Sequence, residues 1–456
     1  MSTSCSSILF GFSLCGFLLC SLKLCYAFEG RETAETTLLH RVPNGKHMQV
    51  VHSHGPCFSS HGKSTAPTVA QVLAQDQSRV DTIHSRLSTG GDPLRASSAT
   101  IPGKSGRSLG SGNYVVTVGF GTPKRDQTVI FDTGSDLTWI QCQPCVKSCY
   151  KQQEPIFNPS SSTSYSNVSC TSAQCSQLTS ATGNTPSCSS STCVYGIQYG
   201  DQSYSVGFFG RERITLTSTD AYDNLLFGCG QNNRGLFGQV AGLMGLGRDP
   251  MSIVSQTSQK YGKFFSYCLP SSSASAGYLA FGREGTSDSV QYTPSSINSQ
   301  GPSFYFIGIT GISVGGQKLS IPSSIFSNAG TIIDSGTVIT RLPPTAYSAL
   351  RTAFRQQMSS YPTAPALSLL DTCYDFSQAT SVSIPKINFY FSGNTNVDID
   401  ASGILYANGL SQVCLAFAPN SNDGDVAIFG NTQQKTFQVV YDVAGGQVGF
   451  GAGGCK

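Results

Sequence analysis

Two stretches decide how this chain reads: VIFDTGSDLTWIQC, Val129 to Cys142, and TIIDSGT, Thr331 to Thr337. In the first, apolar residues run into Asp132, and Thr133, Gly134 and Ser135 follow before hydrophobic residues resume at Leu137, Trp139 and Ile140. One Asp-Thr-Gly at a strand end is an ordinary turn. The second stretch repeats its grammar: an apolar strand, then Asp334, the small hydroxyl residue Ser335, Gly336 and the hydroxyl residue Thr337. The surroundings repeat too. YVVTVGFG (Tyr114 to Gly121) precedes the first, and YFIGITGISVGG (Tyr305 to Gly316) the second. Leu243-Met244-Gly245 and Ile428-Phe429-Gly430 follow them in turn. A repeat at the scale of half a molecule predicts two related lobes. If a pseudo-twofold axis relates them, Asp132 and Asp334 meet on it.

Two adjacent carboxylates cannot both ionise cheaply, so they share a proton and titrate as a pair. The ionised partner can take a proton from a water held between them while the protonated one donates to a carbonyl oxygen under attack. A peptide bond is then hydrolysed without a covalent intermediate, best in acid. Gly134 and Gly336 allow backbone amides to approach the carboxylates. The hydroxyls of Thr133, Ser135, Ser335 and Thr337 are placed to hydrogen-bond across the junction. Asp136 reads as an ordinary polar residue.

Composition narrows the alternatives. Gly is 49 of 456 residues and charged residues are 12%, which indicates a turn-rich all-β protein. The formal charge of +3 comes from the first 108 residues, with 10 Lys/Arg against 6 Asp/Glu; the remainder has 18 against 19 and no nucleic-acid signature. All six histidines also precede residue 108. Ser-His and Cys-His nucleophiles and histidine metal sites are thereby excluded from the body, leaving carboxylates as acid and base. Of 17 cysteines, twelve lie beyond residue 108, an even number that fits six disulfides in an oxidising compartment. Cys142-Gln-Pro-Cys145 has zinc-like spacing but no second pair, and the HSHGPC patch near residue 54 is too small a ligand set. No metal and no cofactor is expected.

Residues 1–27 read as a secretory signal, with an apolar run from Ile8 to Leu22 that is short for a permanent anchor. Residues 28–108 read as a removable prosegment with a helix over Thr68 to Ser88, followed by a Gly/Ser/Lys/Arg stretch suited to nicking. Residues 109–300 form the predicted N-terminal lobe and 301–456 the C-terminal lobe. One N-glycosylation sequon begins at Asn167.

FDTGS together with IDSGT resembles the double signature of the pepsin-like aspartic proteases, and the resemblance extends over 109–456. It implies a bilobal all-β fold with a cleft between two lobes. YGDQS, from Tyr199, is similar to the family's flap hairpin; Tyr199 is then the residue that covers substrate, and Trp139 the tryptophan that hydrogen-bonds it. Gln202 departs from the glycine common at that point of the flap. The cysteine pattern is similar to the plant nepenthesin-like branch, and HSHGPC, SLGSGNYVVTVGFGTP and FGCGQNNRGLFG to its chloroplast-nucleoid-type subgroup. That branch implies the pairs Cys142–Cys145, Cys149–Cys229, Cys170–Cys193, Cys175–Cys188, Cys268–Cys455 and Cys373–Cys414.

The expected function is a secreted acid endopeptidase made as a zymogen, monomeric, acting on protein or peptide substrates in the apoplast. Two alternatives remain at this stage. One is a non-catalytic pepsin-fold binding or inhibitor protein. The other is a plastid protease associated with DNA, for which the nearly neutral body offers no basic stripe; chloroplast or vacuole is the corresponding alternative location.

Overall fold

The computed structural model of the chain describes residues 47–53, 68–88, 114–199, 202–235, 237–272 and 275–455. The predicted signal segment, residues 54–57 of the HSHGPC patch and the nicking stretch lie outside them. The architecture is all-β and bilobal, as the half-chain repeat predicts.

In the N-terminal lobe, Tyr114–Phe120 and Arg125–Asp132 form an antiparallel hairpin. Gly242–Gly245 then lies parallel to the second of these strands, with Met244 beside Phe131 and Gly245 beside Asp132. The C-terminal lobe does the same: Ala427–Phe429 lies parallel to Thr331–Ile333, with Phe429 beside Ile333. The repeated apolar-apolar-glycine motifs are therefore the partner strands of the two aspartate strands. Buried on both faces, these strands read as continuous apolar runs. Each ends where its lobe meets the other, which is why a carboxylate closes a buried strand.

The lobes are joined by one antiparallel sheet that sequence patterning did not indicate. Its order is His47–His52, Ala276–Phe281, Phe264–Cys268, Gln438–Asp442, Gln447–Gly451 and Gln291–Ser296. Phe264–Cys268 and Gln438–Asp442 meet at its centre, where the Phe265 and Tyr441 rings stack at 4.4 Å. The first strand also pairs with Tyr114–Phe120, burying Met48 and Val50. This pairing crosses more than sixty residues of sequence, so nothing local announces it.

The helix spans Val69–Ser88. It opens on a capping box: the Gln71 amide donates to Thr68 Oγ1 and the Thr68 amide to Gln71 Oε1. Its apolar stripe lies on the C-terminal lobe. Val72 and Leu73 pack with Val338, Ile339 and Leu370, and Val80, Ile83 and Leu87 with Phe304, Phe306 and Ile428. At about 2 kcal/mol per buried aliphatic side chain, this face holds the helix firmly.

The disulfides correct four expected pairs. Cys142 bonds Cys229 instead of Cys145, because Trp139–Gln141 runs parallel to Asp220–Arg234 and carries Cys142 to within 5.3 Å, Cα to Cα. Cys145 is left to Cys149, closing a short loop, so Cys149–Cys229 does not form either. Cys170–Cys193 and Cys175–Cys188 are replaced by Cys170–Cys188 and Cys175–Cys193. Burial sorts these: Cys175 and Cys193 are inside the lobe's core, whereas Cys170 is half-buried against that core and Cys188 is exposed. Cys268–Cys455 and Cys373–Cys414 are both present.

Candidate active site

The two aspartate loops meet tip to tip and mirror each other bond for bond. The Thr133 amide donates to Ser335 Oγ at 3.1 Å, and the Ser335 amide to Thr133 Oγ1 at 2.8 Å. Gly134 N–H donates to Asp132 Oδ1 and Gly336 N–H to Asp334 Oδ1, each at 3.0 Å. A Cβ on Gly134 would stand 2.8 Å from Asp334 Oδ1, and one on Gly336 2.5 Å from Asp132 Oδ1. Each glycine thus makes room for the carboxylate of the opposite loop. Thr337 Oγ1 donates to Asp334 Oδ2 at 2.6 Å, and the Ser135 hydroxyl, at the matching position of the first loop, helps to hold the Asp132 carboxyl down.

A guanidinium lies on the pair. Arg79, from the N-terminal helix, donates through Nη2 to Asp132 Oδ1 (2.7 Å) and Asp334 Oδ1 (2.9 Å), and through Nε to Asp334 Oδ2 (2.9 Å). Nη1 reaches Asp132 Oδ2 at 3.3 Å. Asp132 and Asp334 are both buried, and burial pushes both carboxyls toward protonation. Beside Asp132 the charge and hydrogen bonds of Arg79 outweigh it and hold that carboxyl below the ordinary carboxylate value. Asp334 ends above that value, since burial together with the Asp132 charge outweighs the same guanidinium. The two carboxyls are thereby pushed apart, the condition for one acid and one base.

The flap comes from the N-terminal lobe. Thr192–Gln198 and Tyr204–Thr217 form its hairpin, and the Tyr199 amide closes the turn on Ser203 O at 2.8 Å. Trp139 Nε1 donates to the Tyr199 hydroxyl at 2.7 Å. Phe237, which no sequence argument singled out, sets its ring edge-on to both Trp139 (5.0 Å) and Tyr199 (5.7 Å). Gln202 has φ 67°, the left-handed region that glycine occupies without strain. The sequence departure at Gln202 is thus a departure at a position whose backbone favours glycine.

Other residues differ from their sequence reading. Asp136 is buried, accepts from the Asp249 amide at 2.9 Å, and is pushed up to about 7 by burial, with the charges of Asp249 and Asp132 adding to it. It ties the first aspartate loop to 247–249 and is no ordinary polar residue. Arg79 was missed although its helix was recognised, because an arginine on a helix is normally solvated. Asp76 was also missed. It falls four residues from Val72 and four from Val80, on the apolar stripe, and a carboxylate in that register was the available signal. Asn167 is exposed. Among the described residues no cluster of His, Cys, Asp and Glu could hold a metal ion, and no helix is long and apolar enough to cross a membrane.

Residues 114–283 match the family described as Xylanase inhibitor N-terminal, and residues 304–452 its C-terminal counterpart. Aspartyl protease AED1 of Arabidopsis thaliana is 52% identical over 90% of this chain and 86% of its own length. The chain belongs to the plant, pepsin-like aspartyl protease family. Aspartic proteinase nepenthesin-2 of Nepenthes gracilis is 39% identical to this aspartyl protease family member, over 75% of this chain and 77% of its own. Among solved structures, edgp shares the fold with a TM-score of 0.61 at 22% identity, covering 75% of this chain and 92% of that one. Basic 7S globulin from soybean does so with a TM-score of 0.59 at 20% identity, covering 74% and 91%.

Proposed function

We propose that the protein is an aspartic endopeptidase, active in acid, whose dyad is Asp132 and Asp334 and whose N-terminal region is a removable prosegment. The observation that carries this reading is the convergence of both carboxylates, from loops some two hundred residues apart, on the single guanidinium of Arg79. Arg79 fills the place where a water and a scissile carbonyl would sit, so the chain with its helix docked is inactive.

Once the helix leaves, the facing carboxylates share a proton. One activates a water, the other protonates the carbonyl oxygen, and the tetrahedral intermediate collapses with the amine as leaving group. Tyr199, held by Trp139 and Phe237, closes over an extended substrate from the flap side. Acid drives the change of state. Arg79 lowers both carboxyls relative to the dyad without it, so the vacated dyad holds a proton more readily and falling pH favours the vacated form. Residues 1–27 serve as a secretory signal, 28–108 as the prosegment, 109–300 and 301–456 as the two lobes. Exposed Asn167 takes a glycan on a route to the apoplast.

The test is acidification of the full-length chain, with gel electrophoresis for shortening and digestion of denatured protein with and without pepstatin. Shortening with pepstatin-sensitive digestion is expected. A shortened chain that binds pepstatin but cleaves nothing would instead favour a binding protein, the alternative to which globulins of the same fold lend weight.

A further inference from the structure

The helix places a second charged group into the C-terminal lobe, away from the dyad. Asp76 accepts from the Val338 amide at 2.6 Å, from the Ile339 amide at 3.2 Å and from Arg341 Nη2 at 2.9 Å. The side chains of Asp76 and Arg341 are both 0% exposed. Of the remaining guanidinium nitrogens, Nη1 donates to Ile339 O at 2.9 Å, and Nε is buried without a partner. Nη2 also reaches Gln77 Oε1, again on the helix, at 3.4 Å. Among the described residues, Asp76 is the only carboxylate paired with Arg341.

Everything that holds the Asp76 carboxylate belongs to the body. Val338 and Ile339 directly follow the Asp334 loop. Arg341 sits in Thr340–Leu342, fixed between Phe417–Pro419 and Ile428. Two amides and one face of a guanidinium therefore converge on a point that the helix alone occupies, and a buried guanidinium stripped of its anion is strongly disfavoured. A carboxylate of the substrate satisfies the same three donors in the same geometry.

We propose that Val338 N–H, Ile339 N–H and Arg341 form a substrate subsite that selects an aspartate or glutamate side chain, filled by Asp76 until the helix departs. This rests on the protease and prosegment reading above. The position follows from the helix. Asp76 and Arg79 are three residues apart, about 4.5 Å along the axis, and an extended chain covers that in one to two residues at about 3.3 Å each. The acidic residue then lies within two residues of the bond that is cut.

The experiment uses acid-processed enzyme and a peptide library in which Asp, Glu, Asn and Gln are placed in turn at each position around the cleaved bond. The assay is run near pH 5, where side-chain carboxyls are mostly ionised. At one position within two residues of the cleavage, kcat/KM is expected to be at least about tenfold higher for the acid than for its amide, the worth of one charge-assisted contact. In Arg341→Gln that acid-to-amide ratio is expected to fall toward one. The double variant Asp76→Asn with Arg341→Gln, which buries two neutral amides, supplies the same readout if the single variant does not fold. Digestion with no acidic preference, or a preference that survives loss of Arg341, overturns the subsite and leaves the protease reading standing. A processed wild type that cleaves no peptide overturns both.

Discussion

The two aspartate loops are alike at the carboxylates and unlike two residues further on. Up to Gly134 and Gly336 they match bond for bond, each loop's hydroxyl serving the other's amide. Beyond that point the N-terminal loop turns inward through Asp136 to residues 247–249, and its lobe contributes the flap. The C-terminal loop opens outward through Val338, Ile339 and Arg341 onto the N-terminal helix. Symmetry is kept where the two carboxylates meet, and abandoned where one lobe carries the Tyr199 hairpin and the other packs against the helix.

The equality of the halves is the most exposed point. Asp132→Asn and Asp334→Asn should each lower digestion of denatured protein by about 1,000-fold or more, since each removes a proton-transfer group. A large difference between the two variants in processed enzyme would break the symmetry at its centre.

Arg79→Gln tests the element that spans both lobes. Breaking a buried ion pair by removing one partner costs about 3–5 kcal/mol, so the precursor should melt lower and be processed at higher pH. The sign follows from Asp132. Its carboxyl is depressed beside Arg79, so its contribution is full above the ordinary value of 3.8 and lost as pH falls through the lower folded value. The raised Asp334 works in the opposite direction, being favourable in acid and lost as pH rises. An unchanged activation pH in Arg79→Gln would show that apolar packing alone holds the helix.

Asp136 sharpens the contrast between the loops, having no counterpart carboxylate at Val338. Its folded value of about 7 lies above the unfolded 3.8. Its contribution is therefore full below the unfolded value and lost as pH rises through about 7, up to a few kcal/mol. Melting temperature should decline across that window in the wild type and decline less in Asp136→Asn. Equal declines would mean that the carboxyl is already ionised in acid.

The smallest expected effect lies in the flap. Gln202→Gly should relieve about 1 kcal/mol of left-handed strain at φ 67°, seen as a rise in melting temperature of the order of a degree or two. A fall would mean that the Gln202 side chain holds the turn through contacts that outweigh the strain.

The chain's own pattern was sufficient for the all-β class, the two lobes and the meeting of Asp132 with Asp334, because each leaves a local mark that recurs, whereas the Tyr199–Trp139 pair was legible only through the resemblance to the pepsin-like family. FDTGS and IDSGT advertise each other, and the partner strands carry Met244-Gly245 and Phe429-Gly430. The cysteines left no such mark. Twelve of them specify a number of bonds, but Cys142 chooses Cys229 over Cys145 only because a parallel strand pair brings Cys229 alongside, and Cys175 chooses Cys193 because both are interior. The strand His47–His52 was equally silent, since its partners lie far along the chain.

The sequence by itself thus determined which side chains make up the candidate site, since carboxylates, glycines and hydroxyls recur in one order within a histidine-free body. Tertiary structure alone decided what meets them. Whether Arg79 is solvated or spans two aspartates, and whether Asp76 faces water or Arg341, depends on the lobe face against which an amphipathic helix buries its apolar stripe. That choice is made by the summed packing of Val72, Leu73, Val80, Ile83 and Leu87, a long-range energy that no local pattern encodes.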